Sequence, residues 1–115
     1  MRERRKLERR SISYYMRIID ASENQLIGHL ADISQQGLKM DSQKPIPVEK
    51  EFRLRINTSE DIADKDCIEF SACTRWCRVD PLEPGLYDVG FEILDIDPHD
   101  AEIIQRIMDK YGVPK

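Results

Sequence analysis

The residues with the clearest potential for chemistry are arginines at the start of the chain. Residues 1–10 carry six cationic side chains and two glutamates, a net charge of +4. Because the whole chain has a net charge of −4, the remaining residues carry −8. Arg5 and Arg9 are four positions apart, and Arg4 and Arg10 flank them. A guanidinium can donate paired hydrogen bonds to a phosphate or to the O6/N7 edge of guanine. The segment is therefore a candidate anion-binding arm, although a solvated tail would carry the same charge.

A second candidate is the segment Asp32 to Gly37, which has the pattern Asp-x-Ser-x-x-Gly. Asp32 can accept hydrogen bonds from the N–H groups of a purine, and Ser34 can bond a base or a phosphate. Gly37 is expected to be free to take a positive φ and to let a ligand approach the backbone. Aspartate and serine also form ordinary turns, so the pattern by itself is typical of a plain strand connection.

Signals of catalysis or of metal binding are few. Neither His29 nor His99 has a neighbour at a spacing that suggests a catalytic triad. Cys67, Cys73 and Cys77 lack the Cys-x-x-Cys spacing of zinc and redox sites, so idle thiols are expected rather than a metal site completed by a histidine. The sequence therefore predicts a protein that is not an enzyme and that holds no cofactor or metal.

Composition limits the class of protein. A length of 115 residues, with 40 % hydrophobic and 35 % charged residues, suits one compact domain. No apolar run approaches the roughly 18 residues that a membrane span needs. The N-terminus is charged throughout, unlike a signal peptide, and the odd number of cysteines favours a reducing compartment. We expect a cytoplasmic protein without membrane insertion.

The elements that must position the two candidate segments are mostly strands. Period-two alternation of apolar residues predicts six of them, at residues 12–18, 26–33, 38–40, 52–56, 67–79 and 87–93. Turn residues separate these strands and no helix lies between them, which favours an antiparallel barrel or sandwich over βαβ units. Trp76 shares the parity of Ile68 and Phe70 and is expected in the core, as is Tyr87.

One helix is predicted at about residues 98–111. Asp97 is a suitable N-cap and Pro98 suits the first helical position. Four apolar residues at helical spacing form one stripe, namely Ile104, Ile107, Met108 and Tyr111. We expect the stripe to pack on the domain's own sheet, the alternative being a face for a partner. The predicted organisation is a flexible arm, residues 1–10, and one β-domain, residues 11–115.

The order and spacing of the two candidate segments resemble the PilZ domain family, bacterial receptors for cyclic di-GMP. Arg5 to Arg9 has the pattern RxxxR, and the [D/N]xSxxG pattern of Asp32 to Gly37 follows about 20 residues later. The stretch from Tyr87 to Glu92 is similar to the family's late Val-Gly-x-x-Phe strand without being identical. The resemblance covers nearly the whole chain, and the combination of motifs is more specific than either alone.

The resemblance implies an all-β fold, a six-stranded antiparallel β-barrel with a C-terminal α-helix and a flexible basic N-terminal arm. It implies that Arg5 and Arg9 hold the phosphates and guanines of cyclic di-GMP. It also implies that the motif residues of the turn meet a guanine from the barrel surface, and these are Asp32, Ser34 and Gly37.

The exact register of the arm stays open at this point. Arg4 or Arg10 could take the place of a neighbouring arginine. Lys6 to Arg10 has the same spacing as RxxxR, but a lysine in the first place lacks the bidentate fork. We therefore prefer Arg5 and Arg9.

The sequence shows no attached catalytic, transmembrane or DNA-binding domain, so a signal is expected to leave through a protein effector or a homodimer. One alternative is a PilZ-like adaptor that acts through protein contacts and binds no nucleotide. Another is a nucleic-acid binder that uses the basic arm, but the −8 charge of the remaining chain would repel a phosphate backbone.

Overall fold

The computed structural model describes residues 10–12, 16–59 and 62–114. The elements, in chain order, are β1 (Arg10–Ile12), β2 (Arg17–Asp20), β3 (Gln25–Ile33), β4 (Gly37–Ser42), β5 (Glu51–Asn57), β6 (Cys67–Val79), β7 (Tyr87–Asp95), α1 (Pro98–Tyr111) and β8 (Gly112–Pro114).

Six strands close a barrel in the order β2-β5-β6-β7-β4-β3, and a pairing of β3 with β2 completes the ring. Every neighbouring pair is antiparallel. The predicted six-stranded barrel with a C-terminal helix is thereby confirmed. The remaining strands, β1 and β8, extend the sheet outward from β3.

The first predicted strand, residues 12–18, is wrong as one continuous element. Ser11 of β1 pairs with Asp32, whereas Arg17 of β2 pairs with His29. The chain advances six positions from Ser11 to Arg17 while its partners on β3 move back by only three. A single ladder keeps equal steps on both strands, so β1 and β2 are separate strands. Residues 13–15 of the predicted strand lie outside the described residues.

The core follows the alternation of the strands. On β5, Phe52, Leu54 and Ile56 are buried, whereas Glu51 and Arg53 are exposed. The buried apolar side chains of the core pack in one cluster, which includes Ile18, Leu30, Leu38, Met40, Ile68, Phe70 and Val89. Removing this apolar surface from water supplies the main favourable free energy of folding.

Helix α1 covers the core with its apolar stripe, as predicted. Ile104, Ile107 and Met108 are buried, and the partly buried Tyr111 packs against the same cluster. The Asp97 carboxylate accepts a hydrogen bond of 2.8 Å from the backbone N–H of His99, which caps the helix as expected.

The helix is also tied to a loop and leads into a strand. The Asp100 carboxylate is buried and accepts a hydrogen bond of 2.8 Å from Lys65 Nζ. Gly112, which directly follows the helix, is extended and begins β8. Within the described part of the chain, no helix has the length and apolar character that crossing a membrane requires.

Candidate functional site

The predicted turn is present and closes tightly between β3 and β4. The backbone N–H of Ser34 donates to the Gly37 carbonyl at 2.8 Å, and the Ser34 hydroxyl donates to the same oxygen at 3.3 Å. The N–H of Gln36 in turn donates to Ser34 Oγ at 3.3 Å. Asp32 and Ser34 are both buried. The turn therefore presents a backbone shape set largely by one serine.

The expectation that Gly37 takes a positive φ is wrong. Among the described glycines, the positive φ belongs to Gly85. Gly37 is the first residue of β4 and pairs with Glu92 of β7. Because Gly37 already lies in the extended ladder, the chain reverses before this residue. The Gly37 carbonyl accepts both hydrogen bonds from Ser34, which closes the turn.

Two neighbouring elements hold the turn in place, which the sequence did not indicate. The N–H of Ile93 donates to the Gln36 carbonyl at 2.8 Å. The Gln35 side-chain amide donates to the Ala101 carbonyl and to Gln105 Oε1, each at 3.2 Å. The turn is thus fastened to β7 on one side and to α1 on the other.

The N-terminal segment joins the barrel beside this turn. Arg10 pairs with Ile33, and Ser11 pairs with Asp32. On its other side β1 pairs with β8. Of the four predicted arginines, Arg10 belongs to β1, where it pairs with Ile33. Arg4, Arg5 and Arg9 lie outside the described residues, as do all residues of the predicted flexible arm before Arg10.

A groove of about 430 Å³ opens next to the turn. Ser34 and Gly37 line it, whereas Asp32 is not among the lining residues. The other lining residues come from the turn itself and from β4, β6 and β7, and they are Gln36, Leu38, Arg75, Trp76, Gly90, Phe91, Glu92 and Ile93. Among the groove residues that the sequence did not predict as site residues, Arg75, Trp76 and Glu92 carry exposed charged or aromatic side chains.

A β-bulge in β6 places Arg75 and Trp76 at this groove. Thr74 pairs with Phe91 and Trp76 pairs with Gly90, so two steps along β6 oppose one step along β7. The extra residue reverses the inside–outside alternation that precedes it. Both Arg75 and Trp76 are therefore exposed, and the expectation of Trp76 in the core is wrong.

The Trp76 indole lies against β7 at a glycine. A Cβ atom built on Gly90 would come within 2.3 Å of the indole Cε2 and Nε1 atoms, closer than non-bonded atoms can approach. The Arg78 guanidinium lies 4.8 Å from the ring centroid, a cation–π contact. Trp76 is nevertheless 39 % exposed, so part of the ring stays available to a ligand in the groove.

Arg75 is held by two carboxylates. Its Nε and Nη2 atoms lie 2.8 and 2.6 Å from Glu92 Oε1, and its Nη1 atom lies 2.9 Å from Glu49 Oε1. The hydrogen bond to Glu92 raises the pKa of the guanidinium above its ordinary value, and the charge of Glu49 adds to this effect. The groove therefore contains a cation that is already neutralised.

A second cavity, of about 270 Å³, lies at the other end of the β3–β4 hairpin. His29 and Asp41 line it, and their Nδ1 and Oδ1 atoms are 4.0 Å apart. Burial lowers the pKa of His29 and raises the pKa of Asp41, and each group partly offsets the shift of the other.

Nearby, burial and a hydrogen bond shared with Asp80 raise the pKa of Asp88. The backbone N–H of Leu82, the hydrogen bond to Asp88 and the N–H of Glu83 lower the pKa of Asp80. This end of the hairpin thus holds acidic groups with shifted titration.

The cysteines form no site among the described residues. Cys67, Cys73 and Cys77 are free thiols, and no group of three potential ligands that could hold a metal ion occurs in the described ranges. Cys77 packs against the core, and the Cys73 thiol donates to the Thr74 carbonyl at 3.6 Å. These contacts are those of ordinary structural residues.

Comparison with known proteins gives a family match and a shared fold. The family model described as the PilZ domain matches residues 3–110. No curated protein matches the chain in sequence.

Two solved proteins share the fold. The Bacillus subtilis inhibitor of motility MotI/DgrA superposes with a TM-score of 0.74 at 19 % identity, over 95 % of this chain and 52 % of its own. The PilZ domain of YcgR from Escherichia coli, solved with c-di-GMP, superposes with a TM-score of 0.70 at 18 % identity, over 95 % of this chain and 92 % of its own. The longer structure of YcgR from Escherichia coli in complex with c-di-GMP superposes with a TM-score of 0.68 at 18 % identity, over 93 % of this chain and 45 % of its own. The chain thus spans about half the length of MotI.

Proposed function

Because this chain belongs to the PilZ domain family, we propose that it is a bacterial, cytoplasmic receptor for cyclic di-GMP with no catalytic activity of its own. The observation that supports this most is a juxtaposition at one end of the barrel. The turn from Ser34 to Gly37 and the exposed ring of Trp76 line one groove, and β1 pairs with β3 directly before that turn. Cyclic di-GMP offers two anionic phosphates and two purine rings, and these three features suit both kinds of group.

The arm supplies the cationic half of the proposed site. Arg9 is covalently joined to Arg10, and Arg10 pairs with Ile33 directly before the turn. The phosphates and guanine edges of the ligand are therefore assigned to Arg5 and Arg9, with Arg4 and Arg10 as neighbours able to contribute. Each charge-assisted hydrogen bond from a guanidinium contributes roughly 1.5–3 kcal/mol.

The barrel supplies the half that recognises the base. Asp32 and Ser34 are assigned to the N–H groups and edge of a guanine, and Gly37 allows the ligand to lie close to the backbone. Trp76 adds a surface for stacking, and stacking of a base on an aromatic ring contributes about 1–3 kcal/mol. The assignment of Trp76 rests on its exposure beside the turn.

The proposed signal is a change in the order of the arm. Fixing a residue of backbone costs about 1–2 kcal/mol, so arginine contacts and stacking must together offset the ordering of residues 2–10. The altered arm, and β1 that continues from it, then change the contacts with a protein effector or with a second copy of the chain. Amide exchange tests this step, because protection of residues 2–10 should increase at saturating ligand, and unchanged protection would contradict it.

Calorimetric titration of the full chain tests the proposed function. We expect saturable binding of cyclic di-GMP and no comparable binding of GMP or of a duplex oligonucleotide at the same salt concentration. If no cyclic di-GMP binds, the receptor function is wrong and the adaptor alternative gains support. Equal binding of the duplex, weakening steeply with salt, would instead indicate a nucleic-acid binder.

A further inference from the structure

The groove contains one cationic side chain whose hydrogen bonds are already taken. Arg75 directs Nε and Nη2 to Glu92 and Nη1 to Glu49, at 2.6 to 2.9 Å. Arg75 and Glu92 both line the groove beside Ser34 and Gly37. With Glu49 included, this cluster carries one positive and two negative charges. An anionic ligand entering the groove therefore meets a net negative cluster, and it can bond the Arg75 guanidinium only if the carboxylates give up its N–H groups.

The position of Glu49 suggests a built arrangement rather than a chance surface contact. Glu49 has a φ of 57°, in the left-handed region that non-glycine residues seldom adopt. Its N–H donates to the Thr74 carbonyl at 2.7 Å, and the N–H of Lys50 donates to Thr74 Oγ1 at 3.1 Å. The loop is thus attached to β6 at the residue before the bulge, and the Glu49 carboxylate reaches Arg75 from there.

The contacts that hold Arg75 are breakable. The exposed fractions of the side chains are 43 % for Arg75, 65 % for Glu49 and 52 % for Glu92. Exposed ion pairs contribute little, because water screens the charges and the side chains lose freedom. A phosphate that offers bidentate acceptors can therefore compete with the two carboxylates for the same guanidinium.

We propose that Arg75 is a further ligand-binding residue of this groove, and that Glu49 and Glu92 compete with the anionic ligand for it and so lower the affinity. The inference rests on the proposed function, since it names which barrel residues tune that site. In the free protein Arg75 is paired with the carboxylates. In the complex it turns to a phosphate or to the O6/N7 edge of a guanine, and the carboxylates return to water.

The test is titration of cyclic di-GMP into the full chain by calorimetry, with Glu49→Gln, Glu92→Gln and the double variant. Each single change should lower the dissociation constant about two- to fivefold, the range of one exposed ion pair, and the two together more. Arg75→Gln should raise the dissociation constant about fivefold or more. In the Arg75→Gln background, Glu92→Gln should no longer tighten binding.

Glu69→Gln is the matched control. Glu69 lies elsewhere on β6 and also bridges arginines, at 3.5 Å from Arg53 Nε and 3.6 Å from Arg55 Nη1. Its loss changes net charge equally and should leave affinity within twofold. Equal tightening in this control, or tightening that persists without Arg75, would overturn the proposal in favour of a general charge effect.

Weaker binding by Glu92→Gln would also overturn the proposal, since it would make Glu92 an acceptor for ligand N–H groups. These outcomes are distinct from failure of the proposed function. In that case the unaltered chain and all variants fail to bind cyclic di-GMP, although melting curves show that they are folded.

Discussion

The two ends of the β3–β4 hairpin differ in how their charged side chains are paired and buried. At the turn end, around Ser34 and Gly37, Arg75 is paired with carboxylates at hydrogen-bonding distance and Trp76 is exposed. At the open end, His29 and Asp41 are 4.0 Å apart, partly buried and shifted in pKa. Each end has a cavity, so the presence of a cavity does not distinguish them.

The carboxyl groups with raised pKa values do not coincide with the proposed binding groove. Perturbed pKa values often mark functional residues, yet here the raised carboxyl pKa values belong to Asp41 and Asp88 at the open end. Protonated or acidic groups there offer an anion no favourable charge. The turn end instead has the Arg75 guanidinium, paired with Glu49 and Glu92, and the exposed indole of Trp76, which are the groups that the proposals assign to an anionic purine ligand.

Loss of the arm arginines should have the largest effect on the affinity for cyclic di-GMP at the turn end. The double change Arg5→Ala and Arg9→Ala should weaken cyclic di-GMP binding by more than a hundredfold, because several charge-assisted hydrogen bonds are lost together. Calorimetry measures the affinity, and a melting temperature close to that of the parent protein would show that the barrel is intact. Undiminished affinity would show that these arginines do not bind the ligand.

Truncation of the groove aromatic should come next. Trp76→Ala should weaken binding about ten- to a hundredfold, as expected for loss of one stacked base, and Trp76→Phe should recover part of it. Quenching of tryptophan fluorescence by the ligand is an independent measurement, since this is the one tryptophan of the chain. Absence of both effects would place the bases elsewhere.

The same substitution at one glycine of each end sharpens the contrast. Gly90→Ala should displace the indole, because the new methyl group would overlap it, and should weaken binding nearly as much as Trp76→Ala. Gly85→Ala, with φ of 91° and open space around it, should instead cost about 1 kcal/mol of stability through the backbone alone. Affinity and melting temperature, measured on both variants, separate the two effects. Equal affinity losses would contradict the distinction.

Ser34→Ala should have a moderate effect on binding. The hydroxyl donates to the Gly37 carbonyl and accepts from the Gln36 N–H, so its removal loosens the turn and removes one ligand contact. A typical neutral hydrogen bond contributes about 0.5–1.5 kcal/mol, which corresponds to a loss of about two- to tenfold in affinity. An effect as large as that of the arginine pair would mean that the turn, not the arm, dominates binding.

The smallest effect is expected at the open end. Burial raises the pKa of Asp88, so its neutral form is the one that stabilises the fold, and this contribution is lost as pH rises through the raised pKa. Asp88→Asn should therefore raise the melting temperature at pH 7 by a few degrees, on the order of 1 kcal/mol, and leave it nearly unchanged at pH 3. The affinity for cyclic di-GMP should not change. A changed affinity would show that the open end is energetically coupled to the proposed site at the turn end.

Local patterns predicted much of the fold. The alternation of Phe52, Leu54 and Ile56 identified β5 and its buried face, and Asp97 with Pro98 marked the start of α1. These features depend on neighbours within a few positions, so a single sequence carries them. The turn of Asp32 to Gly37 was likewise found, although the φ of Gly37 was wrong because strand pairing with Glu92 keeps it extended.

Features that depend on pairing between distant segments were missed. The split of the first strand into β1 and β2 follows from two different registers against β3. β8 exists through its pairing with β1 across nearly the whole length of the chain. The hydrogen bonds of Gln35 to α1 join residues 66 and 70 positions apart. No local pattern distinguishes such a glutamine from a solvated one.

The sequence by itself therefore determined the basic arm, the serine-centred turn, the strand periodicity and the resemblance to a family. Only the tertiary structure decided what faces that turn. One extra residue in β6 against β7 turns Trp76 out of the predicted core and places Arg75 beside it, between Glu49 and Glu92. The physical reason is that a bulge is a property of two paired strands, and it reverses the facing of a side chain without altering the composition of either strand.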